Sequence, residues 1–211
     1  MYLPPQFDPQ NPRLAHQLMR QHPFASLVSV DDSGLPFITH LPLHLDVSGA
    51  DVHRAVLLGH CARGNTHWKY LAARPQAVVS FMGPHAYMSP KVYPDLARVP
   101  TWNYVAVHCT VQAEVLDGHA AKDALLKQVI AGHEPAYAQQ WRSLPEDYTE
   151  KMLNGIVAFS LKIISLQCKV KVNQHRPEVH ARMLEIYDAG SPDENALGQW
   201  MRQVGLGTQA Q

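Results

Sequence analysis

The run FASLVSV, then DDSG, then LPFITHLPLHLDV constrains this chain more than any other stretch. Two apolar-rich segments alternating with period two across a short Asp/Ser/Gly turn form an antiparallel hairpin. In the returning segment Thr39, Leu41, Leu43 and Leu45 share one face, and Ile38, His40, Pro42 and His44 share the other. AVLLGHC, QAVVSFM, TWNYVAVHCTVQAEVLD and IVAFSLKIISLQCKVKV read as further strands, which makes six. SGADVHR reads as a turn. GPHAYMSP and its extension KVYPDLARVP read as a long, stiff, aromatic loop between the fourth and fifth strands, and the segment with PEDYTEKMLNG as a polar stretch.

Helices punctuate this order. Asn11 and Pro12 open a short one that Pro23 stops, and Asn65 or Thr66 caps another that Pro75 closes. HAAKDALLKQVIAGHE has apolar positions at helical spacing, and RPEVHARMLEIYDAG and SPDENALGQWMRQVGL read as a closing helix pair. Mostly hairpin-linked strands do not make a doubly wound sheet. The fold class expected is mainly β with peripheral helices, as a small closed barrel.

Charge and cysteine usage narrow the function classes. Lys plus Arg and Asp plus Glu each number 18, so no dominant surface for nucleic acid or acidic membrane is expected. Cys61, Cys109 and Cys168 are scattered and odd in number, as buried thiols of a reducing compartment would be. The start MYLPPQFDPQNP lacks the pattern of a signal peptide, and IVAFSLKIISL is too short to span a bilayer. The expectation is a soluble, cytoplasmic protein without a membrane partner.

No GxSxG, HExxH or Walker motif occurs. Thirteen histidines invite a metal reading. His40 and His44 share a strand face, but four strand residues span roughly 13 Å, too far for one ion. No metal site is expected, and a haem held by a single histidine stays open.

Two segments carry more chemistry. In GHCARGNTHWKYL a strand gives way to a helix, with Arg63 before it and Lys69 inside it. An anion site and a capped surface helix with Trp68 buried are both open there. GPHAYMSP and VPTWNY combine flat faces (Tyr87, Trp102, Tyr104) with donors and acceptors (His85, Ser89, Asn103) and no charge. That mixture suits a planar heterocycle or a subunit interface. The last helix offers Asn195, Gln199, Arg202 and Gln203 to DNA, but Asp193 and Glu194 stand at its start, which leaves direct DNA binding uncertain.

HLPLHL, GHCARGNTHWK, FMGPHAYMSPKVY, VPTWNYVAVH and KVKVNQHRPEVHARM, in that order, resemble successive motifs of the PaiB-like family. Its members carry an FMN-binding split β-barrel and are labelled negative transcriptional regulators. The resemblance covers nearly the whole chain. It departs at Thr66, where many members have Pro, at Val92, where an aromatic is common, and at KVKVNQHR in place of a KLSQN form.

The resemblance implies a six-stranded split-barrel flavin-binding domain over residues 1–172 and a C-terminal helical extension over 173–211. It implies a homodimer with FMN in a cleft between subunits. The FMN phosphate falls to the His60–Lys69 segment, with Arg63, Asn65 and Lys69, and His85, Tyr87, Trp102, Asn103 and Tyr104 border the flavin or the partner. The implied role is regulatory, and the balanced charge and the helix pair's poor fit to DNA make an indirect effect the expectation, through a small-molecule ligand or a partner. The alternatives are an FMN-dependent oxidoreductase, with His85 or Tyr87 as proton donor, and an interaction module that has lost its cofactor.

Overall fold

A computed structural model describes residues 1–47, 55–95, 97–116 and 118–207 of the chain. Among them seven strands form one sheet: β1 (Phe24–Val30), β2 (Pro36–Pro42), β3 (His44–Asp46), β4 (Val56–Ala62), β5 (Gln76–Met88), β6 (Thr101–Leu116) and β7 (Ile156–Lys171). Helices α1 (Pro12–Gln21), α2 (His67–Ala73), α3 (His119–His133), α4 (Ala138–Ser143), α5 (Glu146–Asn154), α6 (His180–Asp188) and α7 (Pro192–Gln203) surround it. The turn expected at SGADVHR lies outside the described residues, as does Asp117 at the end of the fifth expected strand.

The hairpin forms as its residues dictate. β1 pairs antiparallel with β2 from Phe24↔Pro42 to Val30↔Pro36, and Asp31 Oδ1 accepts from the amides of Ser33 and Leu35 in the turn. The returning segment does not stay one strand. At Leu43 the chain changes partner: the Leu43 amide donates to the Pro23 carbonyl at 2.9 Å, and β3 pairs with β4 through Leu45↔Leu57. Hence seven strands replace the six expected.

The strand order is β2-β1-β5-β6-β7-β4-β3. The two edge strands are consecutive in the chain with Leu43 alone between them, the connectivity of a sheet closed into a barrel. Leu41, Leu43 and Leu45 are buried as their shared face requires. Gly59 on β4 makes room for them, because a Cβ there would sit 2.5 Å from Leu43 Cδ2 and 3.3 Å from Leu41 Cδ1.

Two further expectations change. GPHAYMSP is not a loop, since β5 runs through it to Met88. Its burial alternates on Ala77, Val79, Phe81 and Gly83, then on Pro84, Ala86 and Met88. The step at Gly83–Pro84 is where proline, lacking an amide donor, is tolerated within a sheet. It turns His85 and Tyr87 outward. The polar stretch around PEDYTEKMLNG is largely helical, as α5. Leu153 is its one buried residue, so apolar periodicity gave little to read, although Glu146 and Asp147 in the first turn and Lys151 in the last suit the helix dipole.

The chain separates into two compact units, Met1–Leu18, Met82–Val107 and Gln167–Gln211 in the first, Met19–Phe81 and His108–Leu166 in the second. The core of the first includes Leu18, Val105, Val170, Met183, Leu197, Trp200 and Met201. α7 opens with a full capping box between Ser191 and Glu194. The core of the second includes Leu27, Leu57, Leu71, Phe81, Phe159 and Leu161.

Candidate functional site

In the second unit the loop from β4 to α2 is held by hydrogen bonds to its neighbours. The Arg63 amide donates to the Gly155 carbonyl at 2.8 Å. Its Nε donates to Asn154 O at 2.7 Å and its Nη2 to Ile156 O at 3.2 Å. The guanidinium thus ties the loop to the start of β7. Trp68 Nε1 donates to the Arg63 carbonyl at 3.1 Å. Asn65 works in both directions: its Oδ1 accepts from the His67 amide at 3.0 Å, and its Nδ2 donates to Thr39 Oγ1 at 3.1 Å. Thr39 Oγ1 also meets His67 Nδ1 at 2.7 Å.

His67 is 1% exposed, and burial pushes its imidazole down to about 4. Its Nε2 is buried with no hydrogen-bond partner among the described residues. His60, half-buried on β4, is lowered by burial as well. Lys69 is exposed, with Nζ 5.7 Å from the Trp68 ring centroid. Thus Arg63 and Asn65 are engaged with the protein itself, while Lys69 presents its charge outward.

In the first unit an aromatic group lies on β5 and β6. The Trp102 ring is 6.2 Å from the His85 ring, tilted by 37°, and 6.2 Å from the Tyr87 ring, edge-on at 76°. Tyr87 and Trp102 are half exposed. Asn103 points the other way: it is buried, and its Nδ2 donates to Tyr187 Oη at 2.8 Å. Burial raises the Tyr187 phenol to about 12 against the opposing effect of that bond. Asn103 therefore fastens β6 to α6.

Residue reading missed Thr39 and His67 in the second unit and a lysine pair in the first. Lys169, buried, donates to Tyr2 O at 3.0 Å and lies 5.3 Å from the Tyr104 ring. Lys171 donates to Thr101 Oγ1 at 2.6 Å and Trp102 O at 2.5 Å, 5.9 Å from the same ring. Burial, and then Lys169, lower the Lys171 ammonium. The i, i+2 spacing on a strand is the signal that would have found them.

A cleft of about 560 Å³ among α3, α4 and α5 carries Asp123, which pairs with Lys127 at 2.5 Å and accepts from Trp141 Nε1 at 3.0 Å. Among the described residues no group of three or more His, Cys, Asp or Glu stands where it could hold a metal ion. No described helix is long and apolar enough to cross a membrane.

The donor set around the β4–α2 loop suits an anionic group. It offers an outward ammonium on Lys69, an imidazole nitrogen of His67 lacking a partner, and a loop tied down by Arg63. The aromatic group on β5 and β6 suits a flat ring.

Comparison with known proteins identifies relatives of this chain. The model of a family described as "Putative FMN-binding domain" matches residues 1–165. "Protease synthase and sporulation protein PAI 2" of Bacillus subtilis is 33% identical over 209 residues, covering 97% of this chain and 96% of that protein. The flavocytochrome Anf3 from Azotobacter vinelandii shares the fold at a TM-score of 0.60 and 18% identity, over 77% of this chain and 68% of that one. The FAD- and haem-binding protein from Mycobacterium smegmatis does so at 0.55 and 20%, over 75% and 70%.

Proposed function

The chain belongs to the PaiB-like family of FMN-binding split-barrel proteins, and on that premise we propose that it is an FMN-binding homodimer with a regulatory role exerted indirectly. FMN supplies two-electron and one-electron redox chemistry when bound. The residues of this chain bind and orient. Lys69 provides the cation for the phosphate, and the network of Thr39, Asn65 and His67 keeps the loop shaped around it. Arg63 acts as a strut that ties the loop to β7 and is a binding residue in that sense. His60 lies on the strand leading into the loop. His85, Tyr87, Trp102 and Tyr104 border the flavin, and Asn103 fixes the strand that presents two of them.

The observation that carries the indirect mode is the engagement of α7. Leu197, Trp200 and Met201 are buried, Arg202 pairs with Asp188, Asn195 donates to Gly190 O and Ser191 O, and Gln203 bonds with Gln17. Of the four side chains that the last helix offered to DNA, three are already bonded within the protein. Homodimerisation is supported by the outward face of β1, β2 and β5, where Phe24, Ile38 and Val78 are exposed. Buried Cys61, Cys109 and Cys168, free of disulfides, suit a cytoplasmic location.

The test is FMN titration by flavin fluorescence with a parallel operator-binding assay. FMN bound by wild type but weakly by Lys69→Ala, without salt-steep specific DNA affinity, is the expected outcome. A steep salt dependence of specific DNA binding overturns the indirect mode, and equal FMN affinity in Lys69→Ala overturns the phosphate assignment. One observation favours a second reading, a flavin-dependent oxidoreductase: His85 and Tyr87 are both turned outward beside Trp102, where either can pass a proton. NAD(P)H turnover by the FMN-loaded protein distinguishes that reading.

A further inference from the structure

Three adjacent strand segments of the first unit present a graded face. His85 and Tyr87 stand on β5, Trp102 and Tyr104 on β6, Lys169 and Lys171 on β7, and ring and ammonium contacts join each pair to the next. The two ammonium groups share one aromatic ring, and neither forms an ion pair with a carboxylate among the described residues. A buried cation is ordinarily paired. Here carbonyls, a hydroxyl and ring faces substitute, and none of them carries a negative charge.

Lys171 has three donor protons and gives them two acceptors, Thr101 Oγ1 and Trp102 O. One remains, on a half-buried group that bonds the backbone carbonyl of Trp102, a residue 53% exposed. A single remaining donor, with a second cation at the same Tyr104 ring, suits a compact monoanion.

We propose that this face binds a planar aromatic carboxylate, its ring on Trp102 and its carboxylate at Lys171, with Lys169 supplying further positive charge. The ligand takes the Lys171 side of Trp102, and the flavin keeps the His85 and Tyr87 side and reaches only the edge of Tyr104. It is the small molecule through which the indirect regulation acts. That role rests on the function proposed above, whereas the binding step stands on the residues of this face alone.

The probe is 2-naphthoate, titrated calorimetrically into the full-length protein with and without saturating FMN, with neutral 2-naphthamide as control. Wild type binds the acid in both states and binds the amide at least about tenfold more weakly. Lys171→Gln weakens the acid about tenfold or more and leaves the amide unchanged, while Lys171→Arg restores most of the affinity. Trp102→Leu, at an exposed position, weakens both probes, so the proposal stays testable if Lys171→Gln fails to fold.

Equal binding of acid and amide overturns the proposal, as does indifference to both variants. Loss of naphthoate binding on FMN saturation also overturns it, because the face is then wholly the flavin's wall. Naphthoate binding that depends on Lys171 in a protein with no affinity for FMN leaves this inference standing and removes the flavin reading.

Discussion

The β4–α2 loop and the β5–β6–β7 face solve opposite problems. In the loop, Arg63, Asn65, Thr39 and Trp68 spend their hydrogen-bonding groups on one another and on backbone carbonyls. Lys69 and one nitrogen of His67 are left over. On the face, the rings of Tyr87 and Trp102 stay half exposed, and two lysines sit without carboxylate partners among the described residues. The loop is preorganised by polar bonds, so the binding proposed there would cost little ordering. The face is held from behind, by Asn103 and the core, and leaves the rings of Tyr87 and Trp102 half exposed. A site can thus be rigid in two ways, with different consequences when a residue is changed.

The largest expected effect strikes the support of the face. At Gly83 a Cβ would lie 2.4 Å from Leu18 Cδ1 and 3.1 Å from the Val105 carbonyl oxygen. A leucine can move aside, but a strand carbonyl moves little. Gly83→Ala should therefore cost about 2–3 kcal/mol in urea unfolding. A loss under about 0.5 kcal/mol would mean that the backbone step in β5 is not needed to present His85 and Tyr87.

The loop should show its weakness in acid. The folded His67 titrates near 4, below the ordinary value of 6.5. The unfolded chain then binds the extra proton first, and the native state loses stability as pH falls from about 6.5 to about 4. The contribution is roughly 1–3 kcal/mol, fully present above pH 6.5. Melting curves of wild type and His67→Gln over that range check it, because the variant should show a shallower slope. Parallel slopes would place the acid sensitivity elsewhere.

Smaller effects separate strut from ligand group. Arg63→Ala removes two bonds to carbonyls and should cost about 1–2 kcal/mol, with lysine at that position recovering only part of it, since Lys cannot bond Asn154 O and Ile156 O through one planar fork. Lys69→Ala should leave unfolding within about 0.5 kcal/mol of wild type and lower FMN affinity roughly tenfold. If Lys69→Ala destabilised the fold and Arg63→Ala did not, the roles assigned to the two cations would be exchanged.

Much of this fold was legible in period-two alternation. The hairpin at Asp31–Leu35, the burial of Leu41, Leu43 and Leu45, and the α3, α6 and α7 helices all follow from residue spacing. α5 was not, because a helix that buries so little carries almost no periodic signal. The site was legible in segments and not in roles. Arg63, Asn65 and Asn103 were recognisable as polar groups in special places, but spacing does not say whether such a group faces a ligand or a neighbouring carbonyl.

The sequence by itself determined the class of the molecule: strands joined by hairpins, helices at the periphery, a charge-balanced composition, and motifs ordered as in its family. Tertiary structure decided which strand pairs with which after Leu43, and which way β5 turns its side chains after Gly83. It alone placed Lys169 and Lys171 beside Tyr104. The physical reason is range. Periodicity and capping act over a few residues, whereas the fate of a polar side chain depends on partners such as Thr39 for His67 and Tyr187 for Asn103, which only the closed sheet and its packed helices bring near.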